Sequence, residues 1–184
     1  IVGGKHRGRV LACHGDPVTR PMKDRVREAV FNLVGPAVKG RLVLDLFAGT
    51  GALALEAVSR GAERAVLVER HFPTVRLIEQ NVPTLGVERQ VEIISGDCFF
   101  WTREDEALAA LAAKAETPWL VLLAPPYNFY VSRWPEMRDL LLRVLRTAPD
   151  RSLLVVESDL RFDASLLPQP ETWDVRRYPP AQVA

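Results

Sequence analysis

Asp45-Leu46-Phe47-Ala48-Gly49-Thr50-Gly51 is the stretch on which the reading of this chain turns. It follows Leu42-Val43-Leu44, an apolar run of strand length, and it opens onto residues 52–60, a helical pattern closed by Gly61. Gly49 and Gly51 let the backbone turn and pass close to a ligand without a Cβ clash. The spacing Gly49-x-Gly51-x-x-Ala54 loosely fits a dinucleotide fingerprint. Glu69, at the end of the next strand-like run, is placed to take two ribose hydroxyls. At this point a nicotinamide dinucleotide and S-adenosylmethionine both fit.

Working outward, strand-like and helix-like segments alternate. Residues 65–68, 91–94, 119–123 and 153–157 read as further strands. Residues 73–85, 104–115 and 136–146 read as helices, with Pro83 disturbing a last turn and Gly86 ending that helix. Upstream, residues 20–34 carry an apolar stripe of Val26, Ala29, Val30, Leu33 and Val34, stopped by Gly35-Pro36. Residues 1–18 read as turns and short strands. Residues 173–178 and 181–184 read as antiparallel edge strands. This order predicts an α/β fold with a doubly wound, mainly parallel sheet.

Three details separate the two cofactors. Asp45 precedes the glycines; a carboxylate there repels a pyrophosphate but accepts hydrogen bonds from an ammonium such as the methionine end of S-adenosylmethionine. Gly96-Asp97-Cys98 closes the third strand, where a carboxylate can accept the adenine amino group. Pro125-Pro126-Tyr127 closes the fourth, a rigid corner that puts an aromatic ring where open α/β sheets bind ligands and that a dehydrogenase does not need. Taken singly, Asp45 or Asp97 is as well read as a helix cap. In order along the chain, the strand ends point to S-adenosylmethionine.

Bulk properties set the limits. With 184 residues, 48% hydrophobic and 26% charged, the chain is expected to fold around one core. No run is long and apolar enough for a membrane span, and no leader pattern is present, so a cytoplasmic protein without membrane contact is expected. Cys13 and Cys98 form no disulfide framework. His6, His14 and His71 show no metal spacing, and no metal is expected. The start Ile1-Val2-Gly3-Gly4 resembles a mature trypsin-like protease, but the required disulfides and Gly-Asp-Ser-Gly-Gly context are missing. A net charge of +1 conceals a basic first segment: residues 1–41 hold nine Lys/Arg against three acids. Such a lobe suits a polyanion.

These motifs give the chain a family resemblance over nearly its whole length. Gly3-Gly4-x-x-x-Gly8-Arg9, the string Arg20-Pro21-x-x-Asp24-Arg25-Val26-Arg27-Glu28-Ala29-Val30-Phe31-Asn32, and the loop from Asp45 to Leu53 followed by Leu55-Glu56-Ala57 resemble the bacterial 16S rRNA guanine-N2 methyltransferases, relatives of the N6-adenine DNA methyltransferases. The resemblance implies the Rossmann-like, seven-stranded class I methyltransferase sheet (residues 19–184) with a small N-terminal β-hairpin extension (residues 1–18). It implies methyl transfer from S-adenosyl-L-methionine to a guanine of 16S rRNA or of the assembled small subunit, by a monomer. By the same resemblance Asp45, Gly49 and Gly51 hold the methionine end, with Arg25 near its carboxylate. Glu69 holds the ribose and Asp97 with Cys98 the adenine edge, and Phe47, Ala48, Arg70 and Gly96 are further cofactor-binding residues. Ala124, Pro125, Pro126 and Tyr127 form the catalytic corner, with Tyr127 stacking on the target base. Lys5, Arg7, Arg9, Arg20 and Lys23 meet RNA phosphates.

One departure bears on chemistry. Ala124 stands where the family carries Asp, Asn or Ser, and its side chain cannot accept a hydrogen bond. Losing one such group costs about 2–4 kcal/mol of transition-state stabilisation if nothing replaces it. A second expectation therefore stands beside the first: a weakened, RNA-binding or ribosome-assembly module that retains the methyltransferase fold. Met22 and Lys23 also replace hydroxyl residues usual in the family's helix, and Pro179-Pro180 replaces a Gly-containing turn.

Overall fold

Five parallel strands form the centre of the sheet: β1 (Leu42–Asp45), β2 (Arg64–Glu69), β3 (Val91–Ser95), β4 (Trp119–Leu123) and β5 (Leu153–Asp159). Two short strands, β6 (Arg176–Tyr178) and β7 (Ala181–Val183), complete it as an antiparallel edge. The order is β3-β2-β1-β4-β5-β7-β6. The computed structural model describes residues 1–13, 24–103, 105–114 and 117–184.

β1 and β4 are buried at every position. That is why they read as unbroken apolar runs: helices cover both faces of a parallel sheet. On one face lie α1 (Asp24–Val34), α2 (Ala52–Ser59) and α3 (Phe72–Leu85), whose Val30, Phe31, Leu55, Ile78 and Val82 join Val43, Leu67, Leu120 and Leu122 in one core. On the other lie α4 (Cys98–Trp101), α5 (Asp105–Lys114), α6 (Phe129–Ser132) and α7 (Trp134–Thr147). The α7 stripe Met137, Leu140, Leu141 and Val144 is fully buried against Leu44, Val121 and Leu123. From central β1 the chain winds out through β2 and β3. It then returns to β4 on the other side, so the β1/β4 boundary is the switch point where such sheets bind ligands.

Several boundaries differ from expectation. Gly35, at φ 56°, does not end the first helix outright; a 3-10 turn, Gly35–Val38, continues it. The helices α4 and α6 were not anticipated. Residues 1–13 contain no strand. Instead of a ladder, the Ile1 amino group donates to the Arg9 carbonyl at 2.7 Å and the Gly8 N–H to the Ile1 carbonyl at 2.9 Å. The rest of the expected hairpin, with His14, Arg20, Pro21, Met22, Lys23 and Glu104, lies outside the described residues.

The first segment is held to α2 by a buried carboxylate. Glu56, 0% exposed, accepts from the Val2 and Gly3 amides at 2.7 and 2.8 Å. Its partners in charge are Arg60 at 2.7 Å and Arg27 at 3.6 Å. Beside it the Lys5 N–H donates to the Ser59 carbonyl, and a Cβ on Gly4 would fall 1.9 Å from that oxygen. Only glycine permits this approach. A second clamp, Asn81 of α3, binds the backbone of both Ala12 and Thr50, joining the segment to the turn after β1.

Candidate active site

Side chains alternate along a strand, so register determines which strand ends share a face. Asp45 is paired with Leu67 on β2 and with Leu122 on β4, and Leu122 with Val155 on β5. Two residues further along each neighbour come Glu69, Ala124 and Glu157. Asp45, Glu69, Ala124 and Glu157 therefore project from one face of four adjacent strands, at their carboxyl ends. Above them lies a cleft of about 330 Å3.

Phe47, Ala48, Gly49, Glu69, Arg70, Gly96, Asp97, Cys98, Ala124, Pro125, Pro126 and Tyr127 all line this cleft. Three expected residues do not. Asp45 is 1% exposed and lies beneath the wall that Leu46 and Phe47 form. Gly51, at φ 78°, starts α2; a Cβ there would meet the Leu67 side chain at 3.0 Å, so it serves the turn and the core. Arg25 is exposed, while its neighbour Val26 lines the cleft. One helical step of about 100° separates the two. Lys5, Arg7 and Arg9 are exposed on the first segment, away from the cleft wall. His6 between them is held below the usual imidazole range by partial burial and by the charges of Lys5 and Arg9.

The carboxylates differ in their surroundings. Among the described residues neither oxygen of Asp45 has a hydrogen-bond partner. Burial pushes this carboxyl up to about 7; the nearby Ala54 and Phe47 amides oppose the rise, and the Glu69 charge adds to it. Glu69 joins two loops, accepting from the Gly49 amide at 2.9 Å and the His71 amide at 2.7 Å. Asp97 caps α4 by accepting from the Phe99 amide at 2.8 Å, with Arg70 and Arg133 within 4 Å of its other oxygen. The cap reading of Asp97 is thus realised, and it leaves lone pairs free. The Cys98 thiol is pushed far up by burial and stays protonated.

Sequence reasoning missed four residues. Phe99 and Phe129 line the cleft with Phe47, their ring centres 5.7–6.2 Å apart. The Arg133 guanidinium lies 4.2 Å from the Phe99 ring and is held by Glu136. The phenylalanines sit on α4 and α6, which are four residues each and too short to show a period. The fourth is Glu157, 7% exposed at the cleft floor, which accepts from the Tyr127 hydroxyl at 2.7 Å. It had the same strand-end signal as Asp45 and Glu69. Among the described residues no group of three or more His, Cys, Asp or Glu could hold a metal, and no helix is long and apolar enough to cross a membrane.

The residues present fit S-adenosylmethionine. A buried carboxylate without a partner matches an ammonium, a carboxylate on the second strand matches a ribose, and apolar aromatic walls match a purine. Comparison with known proteins agrees. Residues 1–179 match the family described as Conserved hypothetical protein 95. Ribosomal RNA small subunit methyltransferase D of Escherichia coli (strain K12) is 32% identical over 183 residues, covering 96% of this chain and 82% of that protein. YlbH of Bacillus subtilis (strain 168) is 38% identical over 129 residues, which is 70% of this chain and 66% of that one. The solved structure of Escherichia coli yhhF superposes with a TM-score of 0.74 at 27% identity, covering 100% of this chain and 93% of that one. An RNA methyltransferase from Salinibacter ruber, in complex with S-adenosyl-L-homocysteine, shares the fold at a TM-score of 0.60 and 20% identity, covering 89% of this chain and 90% of that one. The sheet is that of the class I methyltransferases, and the chain belongs to the rRNA methyltransferase family to which the description Conserved hypothetical protein 95 applies.

Proposed function

We propose that this protein transfers a methyl group from S-adenosylmethionine to the exocyclic N2 amine of a guanine in 16S rRNA. The observation that carries the reading is the unpartnered buried carboxylate of Asp45 beneath a cleft that ends in Pro125-Pro126-Tyr127. Asp45 would hold the methionine ammonium, Glu69 the ribose hydroxyls, and Asp97 with the Phe99 and Phe129 walls the adenine. The sulfonium supplies an activated methyl group when bound.

The protein's own task is orientation. A guanine amine donates its lone pair into the ring and is a poor nucleophile, so it must be presented in line with the methyl carbon. The half-buried Tyr127 ring lines the cleft and offers a stacking surface for a base taken out of the RNA. The Pro125 carbonyl is one acceptor for the amine. Exposed Lys5, Arg7 and Arg9, held to the body through Glu56 and Ser59, provide a basic arm for phosphates, with Arg20 and Lys23 as further candidates. Residues 1–18 would thus act as an RNA-binding extension of the catalytic unit, and a single copy suffices for both roles.

The test is transfer of labelled methyl from S-adenosylmethionine to under-modified small subunits and, separately, to naked 16S rRNA, followed by digestion to nucleosides. The expected product is N2-methylguanosine. N6-methyladenosine, or no label on either substrate, contradicts the proposal.

A further inference from the structure

We infer that Glu157 supplies the acceptor for the target amine that Ala124 cannot; the inference rests on the methyl transfer proposed above. β4 and β5 are parallel, with Leu122 opposite Val155 and Leu123 opposite Val156. Continuing this register places Ala124 beside Glu157. Both project to the face that carries Leu120, Leu122, Leu153 and Val155. A short side chain at 124 leaves room over the floor of the cleft, and the longer Glu157 side chain lines that same cleft.

The carboxylate is positioned on both sides. Its Oε1 accepts from the Tyr127 hydroxyl at 2.7 Å, and its backbone carbonyl accepts from the Tyr130 hydroxyl at 2.7 Å. Among the described residues Oε2 takes part in no hydrogen bond. The ring proposed to stack on the base is thus tied to the carboxylate proposed to receive its amine. Burial also holds the Glu157 carboxyl above its usual range, with the Tyr127 hydroxyl opposing the rise, which makes it a stronger proton acceptor than an exposed carboxylate.

In the transfer step the N2 lone pair forms the new N–C bond to the methyl carbon. The C–S bond breaks and its electron pair stays on sulfur, leaving the neutral thioether. N2 then carries the positive charge and loses one proton, which Glu157 Oε2 accepts and passes to water. Before that, the same oxygen accepts one N–H of the amine and favours the pyramidal, nucleophilic nitrogen.

Four variants test this: Glu157→Ala, Glu157→Gln, Tyr127→Phe and Glu157→Ala combined with Ala124→Asp. Readouts are kcat and KM for small subunits, plus S-adenosylhomocysteine affinity and melting temperature. Glu157→Ala should lower kcat at least 100-fold, with S-adenosylhomocysteine affinity within about threefold of the parent. Glu157→Gln, which keeps an acceptor but not a base, should fall less. Adding Ala124→Asp to Glu157→Ala should recover at least tenfold in kcat, because Asp restores a carboxylate at the neighbouring strand end. Tyr127→Phe should cost less than Glu157→Ala. The inference is overturned if Glu157→Ala retains parental kcat, if Tyr127→Phe equals it, or if S-adenosylhomocysteine affinity falls in parallel with kcat. If the parent itself transfers no methyl group to guanine N2, the underlying proposal falls and this inference with it.

Discussion

Asp45→Asn is expected to weaken S-adenosylmethionine binding about 100-fold while stabilising the free protein above pH 7. The two effects share one cause. The carboxylate is buried and among the described residues has no hydrogen bond, so charging it in the free protein is unfavourable. Its carboxyl sits at about 7 against an unperturbed 3.8. The folded state therefore holds a proton that the unfolded chain has already released. Stability falls as pH rises through that window and levels off above about 7. That displacement corresponds to about 4 kcal/mol. An unpaired amide at the same place costs about as much as the protonated carboxyl that it replaces, so the gain of the variant approaches about 4 kcal/mol at pH 8 and vanishes near pH 4. Urea unfolding at several pH values measures it; a variant-to-parent difference equal at pH 5 and pH 8 contradicts this account of Asp45.

The binding arm of the same prediction follows from charge pairing. A charged partner removed from a buried ammonium costs about 1.5–3 kcal/mol. In the parent, cofactor affinity should rise with pH as Asp45 ionises through about 7, then fall as the ligand's α-amino group loses its proton near about 8. Calorimetry across this range should show the rising limb in the parent and not in Asp45→Asn.

Glu56→Ala is expected to cost about 3–5 kcal/mol of folding stability, the size found when one partner of a buried ion pair is removed. The carboxylate is fully buried and serves two backbone amides and two guanidinium groups at once. Its removal leaves the Val2 and Gly3 amides without their acceptor, and the first segment loses its main tie to α2. The exposed cations Lys5, Arg7 and Arg9 depend on that tie for their position. Thermal unfolding should show a large fall in midpoint. Protease cleavage within residues 1–13 should become faster at temperatures where the rest of the chain is still folded. A variant within 1 kcal/mol of the parent would show that the Glu56 network contributes little.

How much of this was legible beforehand depends on the range of the interactions involved. β1 and β4 are readable because burial on both faces makes them apolar runs; β2, β3 and β5 are less buried and are marked by short apolar stretches between turn residues. The helices α3 and α7 are readable because their length allows a helical period. The four-residue helices α4 and α6 are not, and with them go Phe99 and Phe129, the walls of the cleft. Asp45 and Glu69 are recognisable from their places at strand ends, but their different states are not. Asp45 is buried without partners, whereas Glu69 is tied to Gly49 and His71, and both conditions are set by neighbouring strands. The place of Arg25 near the cofactor comes from resemblance and not from helix phase; the apolar stripe already contains Val26, which lines the cleft, while Arg25 is exposed. Glu157 carries the same strand-end signal as Asp45 and Glu69; what local pattern does not encode is its place next to Ala124 and its bond to Tyr127, a relation between β4 and β5. The place of β7 between β5 and β6 is likewise a long-range pairing.

A crystal structure with S-adenosylhomocysteine bound decides whether the carboxyl ends of these strands hold the cofactor with its methyl group directed at the Pro125-Pro126-Tyr127 corner. The expected result has the amino group against Asp45, the ribose hydroxyls on Glu69, the adenine against the Phe99 and Phe129 walls, and the sulfur facing Tyr127 and Glu157. A ligand bound elsewhere, or bound in this cleft with its sulfur turned away from that corner, overturns this assignment.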